Sequence, residues 1–104
     1  MAGMLELTDE TIFDIIENEP LVFIDFYASW CGSCRVAAPM FLKVSQEENV
    51  KIFKIDVEKN PKIKEMVTLP GLPSVGCFKM GNPEGLVSVT KEEAFREFVQ
   101  SMKV

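Results

Sequence analysis

The chain has 104 residues, 47% of them hydrophobic and 26% charged, with a formal net charge of −5 and no histidine. That length suits one compact domain with one core, expected over residues 1–104, and the composition is that of a globular chain rather than a disordered or fibrous one. The acidic balance argues against nucleic-acid and anionic-membrane partners, and the lack of histidine removes Cys-His nucleophiles, imidazole bases and imidazole metal ligands.

Residues 1–6 lack a basic region followed by an apolar stretch, and no apolar run approaches the roughly 20 residues that span a bilayer, so a cytoplasmic location without a membrane is expected. Met4–Leu7 is a strand candidate. Thr8 is placed as a helix N-cap with Asp9 and Glu10 in the first turn, and Ile12, Phe13, Ile15 and Ile16 give that helix its buried side. Leu21–Tyr27 is a nearly continuous apolar, β-rich run, as expected of a central strand covered on both faces.

Downstream of Cys34, Val36, Ala37, Met40, Phe41 and Val44 recur at helical spacing, with Pro39 expected to kink the helix. Val50–Val57 returns to strand. Asn60 and Pro61 read as the N-cap and first-turn proline of a short helix over Lys62–Val67, which Pro70-Gly71 ends. Pro73 opens a strand over Ser74–Lys79, Gly81–Gly85 is read as a turn, and Leu86–Val89 as the last strand. Thr90-Lys91-Glu92-Glu93 resembles a capping box for a helix burying Ala94, Phe95, Phe98, Val99 and Met102. The order βαβαβαββα predicts an α/β chain whose central mixed sheet is parallel in its first half and closes with an antiparallel C-terminal hairpin.

Cys31-Gly32-Ser33-Cys34 falls between the buried strand and the next helix, where unpaired N–H groups and the helix dipole favour an anion. A lowered Cys31 pKa raises the thiolate fraction that attacks disulfides, and two intervening residues let Cys34, one turn along, reach Cys31. Cys31 is expected to be exposed and Cys34 more buried. Zinc is the competing reading, but the chain would offer only Cys31, Cys34, Cys77 and a carboxylate, so no metal is expected. Cys77 reads as a core filler. Asp25 interrupts the apolar strand; it is either a buried acid kept for a reason or a strand-end group facing water.

The run Asp25-Phe26-Tyr27-Ala28-Ser29-Trp30-Cys31-Gly32-Ser33-Cys34, with Ala38-Pro39, Asn60-Pro61 and Gly71-Leu72-Pro73, resembles the thioredoxin family motif by motif and in spacing. The resemblance implies a thioredoxin fold, its sheet flanked by helices on both faces, and a thiol–disulfide oxidoreductase that reduces protein disulfides. It assigns Cys31 as nucleophile, Cys34 as resolving thiol, Asp25 as the acid that moves a proton at Cys34, and Lys54 as its partner. It also implies that Trp30, Gly32, Ser33, Leu72 and a cis Pro73 receive the substrate. Electrons would be carried by the redox-active Cys31–Cys34 pair, dithiol when reduced and disulfide when oxidised, without a cofactor. The implied partners are disulfide-bearing proteins and a thioredoxin reductase; a monomer is the default expectation.

The chain departs from the family twice. Ser33 stands where proline is usual, restoring an N–H and adding a hydroxyl near Cys31, which predicts a lower Cys31 pKa and a less reducing disulfide. The Gly81–Val89 region is shorter than the usual hairpin and lacks the glycine before the last helix, which bears on partner choice. A disulfide oxidase or isomerase, and a noncatalytic binding module using the Trp30, Leu72 and Pro73 surface, remain as alternatives.

Overall fold

A computed structural model describes residues 3–104, so Met1 and Ala2, on which the leader-pattern reading partly rests, lie outside the described residues. The elements are β1 (Leu5–Leu7), α1 (Ile12–Asn18), β2 (Leu21–Tyr27), α2 (Gly32–Glu47), β3 (Lys51–Asp56), a 3-10 helix (Pro61–Glu65), β4 (Ser74–Lys79), β5 (Asn82–Ser88) and α3 (Glu92–Met102). They build a five-stranded sheet in the order β1-β3-β2-β4-β5. β1, β3 and β2 are parallel, β4 runs antiparallel to β2, and β5 antiparallel to β4, giving the expected mixed sheet.

Strand alternation sends side chains to two cores. Val22, Ile24, Phe26, Ile55 and Phe78 pack on one face against Ile12 and Ile16 of α1 and Ile63 of the 3-10 helix. Phe23, Ile52, Val75 and Cys77 pack on the other against Ala37, Phe41 and Val44 of α2 and Phe95 and Val99 of α3. β2 is central because both of its faces are covered, which is why its sequence is almost wholly apolar. No helix among the described residues is long and apolar enough to cross a membrane.

The expected caps are not made. Thr8 builds a turn instead, donating its N–H to Thr11 Oγ1 at 2.9 Å and accepting from the Glu10 N–H at 3.2 Å, so α1 starts only at Ile12. Asn60 Oδ1 accepts from the Asp9 N–H at 3.0 Å while Asp9 Oδ1 accepts from the Lys62 N–H at 3.1 Å. These two side chains therefore clasp the entry of α1 to the 3-10 helix rather than capping their own helices, and that helix is shorter and tighter than expected. Lys91, not Thr90, is the N-cap residue of α3, with no side-chain cap bond. Val36 and Ala94 lie on solvent-facing sides of their helices, not in the core. α2 runs uninterrupted through Pro39.

The C-terminal hairpin also differs from expectation. Lys79 pairs with Asn82, leaving Met80 and Gly81 as a two-residue turn with φ of 50° and 87°. Pro83 and Gly85 belong to β5 rather than to a turn. They are tolerated there because β5 is an edge strand and its register shifts between Cys77 and Phe78, which face Gly85 and Pro83.

Candidate active site

The end of β2 delivers Ala28 and Trp30 to a point where the chain turns into α2, and Cys31 occupies the N-cap of that helix with an extended backbone. Cys31 and Cys34 are joined by a disulfide, their Cα atoms 5.3 Å apart. The Cys34 N–H donates to Cys31 Sγ at 3.2 Å, and the Ser33 hydroxyl lies 3.4 Å from the same sulfur. One orphan donor of the helix N-terminus is thus aimed at the atom that must carry the negative charge. Arg35, next in line, donates from Nη1 to the Ser29 carbonyl at 2.9 Å and fastens the segment leading into Cys31.

The expectation of an exposed Cys31 is corrected: it is 5% exposed against 3% for Cys34. Its sulfur folds back onto the first turn of α2 toward Cys34, and Ala28, Tyr27 and Leu72 pack around the pair. Trp30 is 68% exposed at the rim. Facing the disulfide, the Leu72–Pro73 peptide bond is cis. That loop is pinned by Ser74 Oγ donating to the Gly71 carbonyl and by Ser88 Oγ donating to the Pro73 carbonyl at 3.1 Å. Surface grooves run beside both halves of the site. One of about 520 Å³ is lined by Ser33, Val36, Met40, Thr90 and Lys91. The other, about 380 Å³, is lined by Val57, Val67, Leu69, Gly71 and Leu72.

Asp25 shares the α2 face of the sheet with Phe23, two residues before it, and is 1% exposed, which removes the water-facing alternative. Burial pushes its carboxyl up to about 7, opposed by the Lys54 cation and reinforced by the Glu6 carboxylate. Its Oδ1 has no hydrogen-bond partner among the described residues. Lys54 is Asp25's register neighbour on β3, yet its ion pair is with Glu6 Oε1, at 3.9 Å, and its Nζ lies 5.7 Å from the Tyr27 ring centroid. Tyr27 in turn donates its hydroxyl to Glu6. The expected Asp25–Lys54 partnership is therefore one of register and field, with the direct pair made elsewhere.

Cys77 is free and buried in the second core, and burial pushes its thiol up to about 11, as suits a core filler. Among the described residues no group of three or more His, Cys, Asp or Glu side chains is placed to hold a metal. Sequence reasoning missed Glu6, Tyr27 and Arg35. Glu6 was visible as a polar residue between Leu5 and Leu7, but its neighbours depend on strand register, which local pattern does not carry.

A cysteine pair joined in a disulfide at a helix N-terminus, with a backbone N–H aimed at the first sulfur, is the arrangement of a thiol–disulfide oxidoreductase. The Thioredoxin family model matches residues 3–101, and the chain belongs to the thioredoxin family, whose members are protein-disulfide oxidoreductases. It is 32% identical over 81 residues to a thioredoxin of Buchnera aphidicola, covering 75% of each chain. It is 35% identical over 91 residues to thioredoxin H5 of Arabidopsis thaliana, covering 86% of this chain and 77% of that one. Among solved structures, oxidised mitochondrial thioredoxin 3 of Saccharomyces cerevisiae superposes with a TM-score of 0.84 at 26% identity, covering 94% of each chain. The chain also matches a bifunctional thioredoxin reductase/thioredoxin of Mycobacterium leprae, 30% identical over 82 residues that make up 76% of this chain and 18% of that protein.

Proposed function

We propose that this chain is a single-domain dithiol reductant of protein disulfides, with Cys31 as the attacking and Cys34 as the resolving thiol. The observation that carries the assignment is the Cys34 N–H aimed at Cys31 Sγ from the helix N-terminus. In the reduced protein the Cys31 thiolate attacks one sulfur of a partner disulfide. The partner's S–S bond breaks, its other sulfur leaves as a thiolate that takes up a proton, and Cys31 is left in a mixed disulfide. Cys34 then gives its proton to the Asp25 carboxylate and attacks Cys31 Sγ, re-forming Cys31–Cys34 and releasing the partner's second thiolate. Two electrons have passed to the partner, whose second thiolate also takes up a proton; the two protons it gains match the one lost when the Cys31 thiolate formed and the one that Cys34 left on Asp25.

Asp25 near 7 suits both directions, accepting a proton when Cys34 attacks and returning it when Cys34 is the leaving group during re-reduction. Lys54 offsets part of Asp25's desolvation. Trp30, Gly32, Ser33, Leu72 and Pro73 form the surface on which the partner chain rests. The reducing equivalents come from a thioredoxin reductase, a pairing supported by the relative in which the two activities share one polypeptide. The Cys31/Cys34 dithiol–disulfide couple itself carries the electrons, without a bound cofactor or metal. The chain works as a monomer in electron transport in the cytoplasm, a setting consistent with one catalytic pair and one buried free thiol.

A Cys34→Ser variant tests the reading: with a disulfide-bearing protein such as insulin it accumulates a stable mixed disulfide at Cys31 and loses turnover. Undiminished turnover would overturn it. The Ser33 hydroxyl favours a second reading, disulfide oxidation or isomerisation, because stabilising the thiolate makes the pair more oxidising. The equilibrium potential of the Cys31/Cys34 pair separates the two.

A further inference from the structure

Glu6, Lys54 and Asp25 stand in one row across three parallel strands: Glu6 pairs in register with Lys54, and Lys54 with Asp25. Paired residues of neighbouring strands project to the same face, so the cation stands between two acids. It is committed to the outer one. Lys54 Nζ is 3.9 Å from Glu6 Oε1, Tyr27 holds the same carboxylate through its hydroxyl, and Asp25 Oδ1, inside the fold, is left without a hydrogen-bond partner.

We propose that Glu6 is a positioning residue for the disulfide-exchange reaction, holding Lys54 at the sheet edge so that the cation does not close onto Asp25. This rests on the reading of Asp25 as the proton carrier for Cys34. Charged groups on the neighbouring β3 and α2 positions are engaged elsewhere. Asp56 on β3 accepts at Oδ1 from the Glu58 and Lys59 N–H groups, Arg35 on α2 is bonded to the Ser29 carbonyl, and Lys43 on α2 is paired with Glu92. On the β4 side Asp25 is flanked by uncharged Val75.

Strands lie about 4.8 Å apart, so Glu6 and Asp25 are separated by about two strand spacings, close to a Debye length at physiological salt. Glu6 also raises the pKa of Asp25 directly through its own charge, and its leverage as a positioning residue is the further part that runs through Lys54 and vanishes when Lys54 is gone. Were the pair with Glu6 absent, the flexible lysine stem would carry Nζ inward and stabilise the Asp25 carboxylate. The chemical consequence is a choice of working range: with Lys54 held outward, Asp25 keeps its proton to a higher pH and can return it to Cys34 when the disulfide is reduced.

The test is a titration of Asp25 in the oxidised protein, followed by NMR of 13C-labelled aspartate carboxyls, in wild type, Glu6→Gln, Lys54→Met and the double variant. The amide in Glu6→Gln still accepts from the Tyr27 hydroxyl and keeps β1 in place. The expected result is a midpoint lowered by about half a pH unit or more in Glu6→Gln, raised in Lys54→Met, and moved much less by Glu6→Gln when Lys54 is already gone. An unmoved midpoint in Glu6→Gln overturns the proposal, and so does an equal shift with and without Lys54. The pH profile of insulin-disulfide turnover is read alongside. If the midpoint falls as expected but the profile stays put, Glu6's hold on Lys54 is upheld and it is the proton-carrying role of Asp25 that fails.

Discussion

The Ser33 hydroxyl lies 3.4 Å from Cys31 Sγ, within reach of a thiolate formed there. Among the described residues the only backbone N–H bonded to that sulfur comes from Cys34, at 3.2 Å, so the contribution of Ser33 is its side chain rather than the N–H that a proline would remove. A hydrogen bond to a charged acceptor at a partly open site stabilises it by about 1 kcal/mol, equivalent to about 20 mV for a two-electron couple. Ser33→Ala and Ser33→Pro are both expected to raise the Cys31 pKa and to shift the potential about 15–30 mV toward more reducing values. Titration in thiol buffers checks this. An unchanged potential in Ser33→Ala would show that the hydroxyl does not act on the thiolate.

Asp25 is expected to weaken the fold in a pH-dependent way. Its folded pKa stands near 7 against an ordinary 3.8, so across that window the native chain keeps a proton that the unfolded chain has released. Stability therefore falls as pH rises from about 4 to about 7 and is fully reduced above it, by an amount with an upper bound of about 4 kcal/mol. Asp25→Asn removes the penalty. Its gain in thermal midpoint is expected to be small near pH 3.5 and largest above pH 7, while its turnover falls about tenfold or more through loss of the proton carrier. Denaturation curves at pH 3.5 and 8 decide: a gain independent of pH would mean that Asp25 ionises normally in the fold.

What local pattern carried was the sheet's interior. Leu21–Tyr27 and Ser74–Lys79 were legible because strands covered on both faces must be apolar, and α2 because Ala37, Phe41 and Val44 repeat at helical spacing. β5 was misread because Pro83 and Gly85 suggest a turn, whereas an edge strand with a bulge accommodates both. Thr8 and Asn60 were misread because their side chains bond within a turn and across to another element. The cysteine pair and Pro73 stood in short contiguous motifs. The Glu6–Lys54–Asp25 row did not, since it exists only once β1, β3 and β2 are aligned.

Trp30 presents its side chain to solvent beside the disulfide, so it adds little to the core and much to any partner contact. Trp30→Ala is expected to leave the thermal midpoint nearly unchanged and to lower kcat/KM for a protein disulfide about 5- to 30-fold, chiefly through a higher KM. Steady-state kinetics with insulin, compared with a small disulfide that cannot span the rim, make the distinction. Equal losses on both substrates would place Trp30 in the chemistry rather than in recognition.

Met80 holds φ at 50°, a left-handed conformation that costs a side-chain-bearing residue about 1 kcal/mol. The two-residue turn imposes it, because joining Lys79 to Asn82 requires positive φ at both central positions, and Gly81 meets that demand at little cost. Asn tolerates this conformation far better than Met. Met80 is also 72% exposed, so replacing it forfeits little buried surface, and its N–H would keep its bond to the Pro20 carbonyl. Met80→Asn is therefore expected to stabilise the protein by about 0.5–1 kcal/mol, raising the thermal midpoint by about 2–6 °C. A β-branched Met80→Val should do the reverse. Turnover should not change in either variant, because Lys79 pairs with Leu21 at the start of β2 whereas the cysteines follow its end, placing the hairpin tip and the disulfide at opposite ends of the central strand. A lower midpoint for Met80→Asn would mean that the methionine side chain makes contacts at the tip worth more than the backbone strain it incurs.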